Sequence, residues 1–299
     1  MKRLLPVLLL TIPLFVHAQI KTDEEMAKKI QAAEADADTA KPSGWVPVAV
    51  AGLNLTQTSF TDWAQGGANS LAYSARVLSN LTYYGERAKW SNSLKLLFGQ
   101  ARLSGQGLRK TEDEIYLESL FIYEVWELVN PYAAATVRTQ FAPGYEYPEN
   151  ADKQQISAFF DPAYFTESIG FIYEPSPIFT SRLGVAAREV VTSQYRVFAN
   201  DPETPVGDWK STRVDAGLES ISVLRWEFAP NMLLTSRLEL FSAFDMMERV
   251  IVRSDNAIAA KVNEYVSVGI NLQLINDAYV RPQTQIMESI SVGLSYVLL

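Results

Sequence analysis

The sequence predicts an all-β protein, a transmembrane antiparallel up-and-down β-barrel of about twelve strands, on three observations. Apolar and polar residues alternate with a period of two from Trp45 to Leu299, the pattern of strands with two unlike faces. The alternating segments run about ten to fifteen residues, where strands of soluble sheets usually have about five or six. Charges recur on the polar face of nearly every segment while aromatic residues gather beside short turns, which suits a wet lumen and an interfacial girdle.

Ahead of the alternation, Lys2 and Arg3 precede the apolar run Leu4 to Val16, which closes on Val16-His17-Ala18 before Gln19. That is the pattern of a secretory signal peptide, residues 1–18, cleaved after Ala18. The run is short of the roughly twenty apolar residues that a spanning helix needs. Cleavage removes Lys2, Arg3 and the one histidine, leaving 24 basic and 34 acidic residues, a net charge of −10. Nucleic acid is therefore not an expected partner. The absence of cysteine excludes a lipid-modified cysteine, disulfides and thiol chemistry. From Gln19 to Gly44 the chain is charged and alanine-rich with almost no large apolar residue, so it cannot build a core. Residues 19–44 are read as a periplasmic extension acting as a spacer.

Strands are expected over 46–60, 70–84, 89–103, 114–127, 132–142, 163–174, 178–192, 211–228, 232–244, 250–262, 265–275 and 287–298. In the second, Leu71, Tyr73, Ala75, Val77, Leu81 and Tyr83 oppose Ala72, Ser74, Arg76, Asn80 and Thr82. In the eighth, Val214, Ala216, Leu218, Leu224, Trp226 and Phe228 oppose five charged residues. The ninth, eleventh and twelfth repeat this division, whereas Asp255 and Asn256 interrupt the apolar face of the tenth.

Short turns are expected at 85–87, 128–131, 175–177, 229–231 and near 263–264, alternating with longer polar segments at 61–69, 104–113, 143–162, 193–210, 245–249 and 276–285. Short periplasmic turns and longer outer loops, with both termini on the inner side, give an even strand number. Tyr83, Tyr84, Trp90, Trp126, Tyr132, Tyr173, Phe179, Trp226 and Phe228 flank the turns. Phe159-Phe160-Asp161-Pro162 closes the longest early loop and is read as an aromatic anchor at the outer interface rather than an inward constriction.

The segment Trp63-Ala64-Gln65-Gly66-Gly67-Ala68-Asn69-Ser70, followed by a strand and then Trp90-Ser91-Asn92, resembles a family of uncharacterised bacterial outer-membrane barrel proteins, a domain of unknown function. Gly99, Glu112-Asp113, Arg138-Thr139, Lys261-Val262-Asn263 and Gly293-Leu294-Ser295-Tyr296 are similar too, so the resemblance spans residues 45–299. The chain departs from the family in ending on Leu298-Leu299 instead of an aromatic residue. The resemblance implies a fold and an outer-membrane location, and no activity.

Without a histidine or cysteine after the signal, a Ser-His-Asp triad, a Cys-His nucleophile and a histidine-ligated zinc or iron site are excluded. No glycine-rich phosphate loop follows a strand and opens a helix. Neither a catalytic residue, a metal site nor a cofactor is expected. Glu112, Asp113, Glu114 and Glu118 could ligate a hard cation, but a solvated rim is the favoured reading because a charge run is usually a solvated face, while alternation selects Glu114 and Glu118 for the lumen.

The alternation places Arg76, Lys95, Glu118, Arg138, Arg182, Arg213, Asp215, Glu219, Arg225, Glu227, Arg237, Glu239 and Arg253 in the lumen, with Glu124, Arg188 and Lys261. Two roles follow. Unpaired charges facing one another across an open lumen make a channel for small polar solutes. Charges that pair directly make a non-conducting structural or interaction barrel. The expected partners are outer-membrane lipid, periplasmic chaperones and the barrel-insertion machinery.

Overall fold

The computed structural model describes residues 44–58, 70–103, 107–148, 152–261 and 266–297. The signal peptide, nearly all of the 19–44 extension and most of the Trp63 segment lie outside the described residues. In chain order the strands are β1 (Gly44–Thr58), β2 (Ser70–Tyr84), β3 (Ala88–Leu103), β4 (Arg109–Tyr123), β5 (Val129–Thr139), β6 (Gly144–Glu146), β7 (Gln154–Ser157), β8 (Ala163–Ser176), β9 (Phe179–Val191), β10 (Thr212–Ala229), β11 (Met232–Ala243), β12 (Val250–Lys261), β13 (Val266–Asp277) and β14 (Arg281–Val297). β6 and β7 form a separate hairpin inside the long β5–β8 connection. The other twelve close an antiparallel barrel in the order β1-β14-β13-β12-β11-β10-β9-β8-β5-β4-β3-β2. The closing seam pairs Val50 with Val297 through Leu53 with Leu294.

All twelve expected strands are present. β4 and β5 lie three to five residues earlier than the alternation suggested, because the turn between them is set by Asn130. Its Oδ1 accepts from the backbone N–H of Val125 at 2.7 Å and of Trp126 at 3.0 Å, fixing the turn at 124–128. Glu124, expected in the lumen, therefore sits exposed in that turn. The suspect β12 is intact. Asn256 faces outward but accepts from Ser236 Oγ at 2.7 Å and donates to Ser254 Oγ at 2.8 Å. The segment 276–285, expected to be long, is only 278–280, closed by Val280 N–H donating to Asp277 O at 3.0 Å.

β1 begins and β14 ends at the end of the barrel that carries the short turns, here the turn end; the longer connections lie at the opposite, loop end. The faces are inverted relative to a soluble protein. Outward residues such as Ile290 at 77%, Ile169 at 61% and Leu183 at 60% are apolar and exposed, whereas Glu114, Arg182 and Glu219 are buried inside. Aromatic rings ring the turn end on the outside: Trp45 meets Tyr83 and Trp90 at 5.3 and 5.5 Å between centroids, Trp126 meets Phe171 at 6.5 Å, and Trp226 meets Phe228 at 5.9 Å.

Inside, apolar clusters flank the charged mid-section. Ile122, Tyr132, Ala134 and Ile172 pack toward the turn end, and Phe241 with Ala186 and Ala243 toward the loop end. Gly170 and Gly184 face each other across β8 and β9, and a Cβ at Gly184 would stand 2.5 Å from Tyr132 Oη. That glycine is where the lumen makes room for the tyrosine.

Candidate functional site

The alternation puts the charges on the inner face, but only the closed topology decides which of them meet. Glu114, Tyr116 and Glu118 are successive inward positions of β4, and Arg237 and Glu239 hold the same relation on β11. β12 lies six places from β4 in the twelve-strand order, on the opposite wall, and β11 lies five places away. Long side chains from these walls meet at mid-height.

Arg253 of β12 donates through Nη2 to Glu114 Oε1 at 3.1 Å and, along its own strand, through Nε to Asp255 at 3.0 Å. Arg138 of β5 donates through Nε to Glu114 at 3.0 Å and grips Glu239 with both terminal nitrogens, each at 3.0 Å. Such a fork on a carboxylate is the strong, directional form of an arginine contact. Arg237 donates to Glu239 at 2.7 Å, to both oxygens of Glu118 at 3.2 and 3.3 Å, and to Tyr116 Oη at 2.7 Å. Arg182 of β9 stands 2.6 Å from Glu118 and 4.0 Å from Glu219, and Lys95 of β3 stands 2.6 Å from Glu114.

The layer holds five cations, Lys95, Arg138, Arg182, Arg237 and Arg253, and five anions, Glu114, Glu118, Glu219, Glu239 and Asp255, so it is neutral. Tyr116 lies at its centre, its ring 4.7 Å from the guanidinium of Arg138 and 5.4 Å from that of Arg237. A cavity of about 490 Å³ bounded by Glu114, Arg138 and Arg253 and another of about 270 Å³ bounded by Arg138, Glu239 and Arg253 lie on its loop side. A third, about 150 Å³, lies on its turn side, bounded by Glu118, Arg182 and Arg237.

Eight of the thirteen candidates thus form one constellation. Arg213 and Asp215 pair with each other at 2.8 Å nearer the loop end, with Arg213 over the ring of Tyr279 at 4.2 Å. Arg225 lines the turn-side cavity and Glu227 is exposed at the turn end. Arg76 lies on the inward phase of β2, between Gly52 and Leu97 of its neighbours. The side chain of Lys261 lies outside the described residues.

Glu114 and Glu118 are interior members of the layer, on the phase that alternation selects, and not a solvated rim. Asp113 instead binds Lys110 at 2.9 Å and caps the backbone N–H groups of Phe141 and Ala142 at 2.7 and 2.9 Å. Tyr116 and Asp255 escaped notice because an uncharged ring and an apparent strand interruption gave no signal, although both share the inward phase. Phe159 and Phe160 are exposed. Phe198, in the 192–211 connection, borders both loop-side cavities, as Tyr164 does. Asn200 braces that connection, donating to Arg196 O at 2.6 Å and Lys210 O at 2.8 Å. Asp201 pairs with Arg249, and the backbone N–H of Glu203, followed by Arg249, holds its carboxyl below the usual range.

Residues 55–145 match the model of a family described as "Protein of unknown function (DUF3078)". Among curated proteins none matches the chain. Three solved structures are similar to the chain at low identity. The translocator domain of autotransporter NalP from Neisseria meningitidis is 10% identical with a TM-score of 0.37, over 91% of this chain and 96% of its own. The NanC porin is 8% identical with a TM-score of 0.39, over 83% and 100%. An outer membrane channel from Pseudomonas putida F1 is 12% identical with a TM-score of 0.38, over 86% and 95%.

Proposed function

We propose that the chain is an outer-membrane β-barrel whose lumen is closed at mid-height by the ion-pair layer, a non-conducting barrel at rest with its two larger chambers on the loop side. The membrane setting is supported by the inverted faces, with apolar side chains outside and charges within, and by the aromatic girdle at the turn end. Placing the turn end in the periplasm puts both ends of the barrel sequence there, as export and insertion require.

One observation carries the closure: Arg253 and Glu114 from diametrically opposed strands meet at 3.1 Å, and Arg237 and Glu118 meet at 3.2 Å beside them. Side chains that touch across a lumen leave no column of water between them. A gated channel for small polar solutes is the second reading, favoured by cavities on both sides of a barrier made of side chains alone. Proteoliposomes diluted into isotonic arabinose test the closure. No swelling beyond empty liposomes is expected, and rapid swelling would overturn it. Fractionation with the outer membrane and heat-modifiable gel mobility are expected alongside; a soluble periplasmic monomer would overturn the membrane assignment.

A further inference from the structure

Just above the layer lies the cavity of about 270 Å³, lined by an apolar patch and by charged and hydroxyl groups. The adjacent strands β10 to β13 supply the apolar Ile221, Phe241, Ile251 and Ile275 along with Glu219, Glu239, Arg253 and Asp277, while β5, β8 and β9, also adjacent in the barrel, supply Thr136, Thr166 and Arg188. The last three form one row, since Thr136 pairs in register with Thr166 and Thr166 with Arg188. Directly opposed residues of neighbouring strands hold their Cβ atoms about 4.5–5.5 Å apart. Two hydroxyls and a guanidinium therefore share one patch of wall.

Arg188 has hydrogen-bonding capacity to spare. It donates through Nη2 to Asp277 at 3.1 Å, while its buried Nη1 makes no hydrogen bond. Its guanidinium lies 5.4 Å from the ring centre of Tyr164 and 5.9 Å from that of Phe241. Thr136 and Thr166 each add a hydroxyl that can donate. Of the acids that line the cavity, Glu239 is held by Arg138 and Arg237 and Asp277 by Arg188 and the backbone N–H of Tyr279, while Glu219 stands 4.0 Å from Arg182 with its Oε2 free of hydrogen bonds. The row offers three donor groups side by side.

We infer that this cavity binds a small organic carboxylate with an apolar body, its carboxylate on the row Thr136, Thr166 and Arg188 and its body against Phe241, Ile251 and Ile275. A carboxylate is acceptor-only and takes several donors at once, and charge-assisted hydrogen bonds are about twice as strong as neutral ones. The volume lies below the roughly 300–1,000 Å³ of drug-sized pockets, which limits the ligand to about one ring or a short chain. The assignment uses the layer as the cavity's floor, but binding is read on the solubilised barrel and so is separate from whether the barrel conducts.

The experiment is calorimetric titration of the refolded mature chain in detergent with benzoate, benzamide and acetate. Saturable benzoate binding is expected, with benzamide, its uncharged counterpart, and acetate, which lacks the ring, each about tenfold weaker or more. Thr166→Val and Arg188→Gln should each weaken benzoate about tenfold and leave benzamide unchanged. Should Arg188→Gln fail to fold, Thr166→Val decides alone, its folding confirmed by heat-modifiable mobility. Equal binding of benzoate and benzamide, no saturation at millimolar benzoate, or wild-type affinity in Thr166→Val would each overturn the assignment.

Discussion

Arg253 and Glu114 stand on strands six places apart in a twelve-strand barrel and still touch, at 3.1 Å. Glu114 also takes Arg138 and Lys95, so three cations from three strands converge on one carboxylate. The layer thereby couples opposite walls as a crosslink would, while each member remains matched in charge.

Glu239 is the member whose loss should be felt most, because it accepts three hydrogen bonds from Arg138 and Arg237. Glu239→Gln leaves those arginines short of a negative charge in a confined interior. Breaking a buried pair from one side is destabilising by about 3–5 kcal/mol. Guanidinium unfolding of the refolded barrel should show a loss of that order; a change within about 0.5 kcal/mol, the scale of an ordinary surface substitution, would mean the layer is solvated.

Face assignment is tested by Leu272→Arg against Ser93→Arg. Leu272 is 42% exposed at the middle of β13 on the outward face, so arginine there should cost about 2–4 kcal/mol in a bilayer. Ser93 borders the turn-side cavity, where a charge meets polar neighbours, and should cost much less. Equal losses in unfolding from lipid vesicles would contradict the assigned faces.

Gly184→Ala should lower stability by about 1–3 kcal/mol, the usual effect of overpacking, because the new methyl collides with Tyr132 Oη and backbone of β8. Tyr132→Phe in the same background should recover only part of the loss, since the backbone contact remains. Full stability of Gly184→Ala, measured by thermal shift of the unheated gel band, would count against the close β8–β9 approach.

Acid should loosen the loop end late. The carboxyl of Asp201 is lowered by the N–H of Glu203 and by Arg249, so what it contributes is fully present above its unfolded value of about 3.9 and is lost as pH falls through its lower folded value. Tryptophan fluorescence, which includes Trp209 in the same connection, should be flat from pH 7 to about 4 and change below that. Asp201→Asn should remove the acid step. A step near pH 6 would assign the change to a different group.

Much of the fold was legible because alternation is a local property: Leu71 to Tyr84 declares both faces of β2 from sequence alone. Where a side chain finds its partner is not local. Parity places Arg237, Arg253 and Glu118 indoors, but only strand order and register bring the first and last of these together. The 276–285 segment misled because Asp277, Arg281 and Gln285 look like loop composition, yet they continue inward or rim positions of two long strands. Phe198 gave no signal because its place beside the loop-side cavities depends on how Asn200 folds the connection back.

The most direct measurement of the central claim is single-channel recording of the wild-type barrel in a planar bilayer of symmetric potassium chloride. Cross-lumen contact between Arg253 and Glu114 and between Arg237 and Glu118 predicts no steady ohmic current at low voltage, with steps emerging in the double variant Arg237→Ala, Arg253→Ala. A stable ohmic conductance from the wild type, with folding confirmed by gel mobility, would contradict a closed lumen.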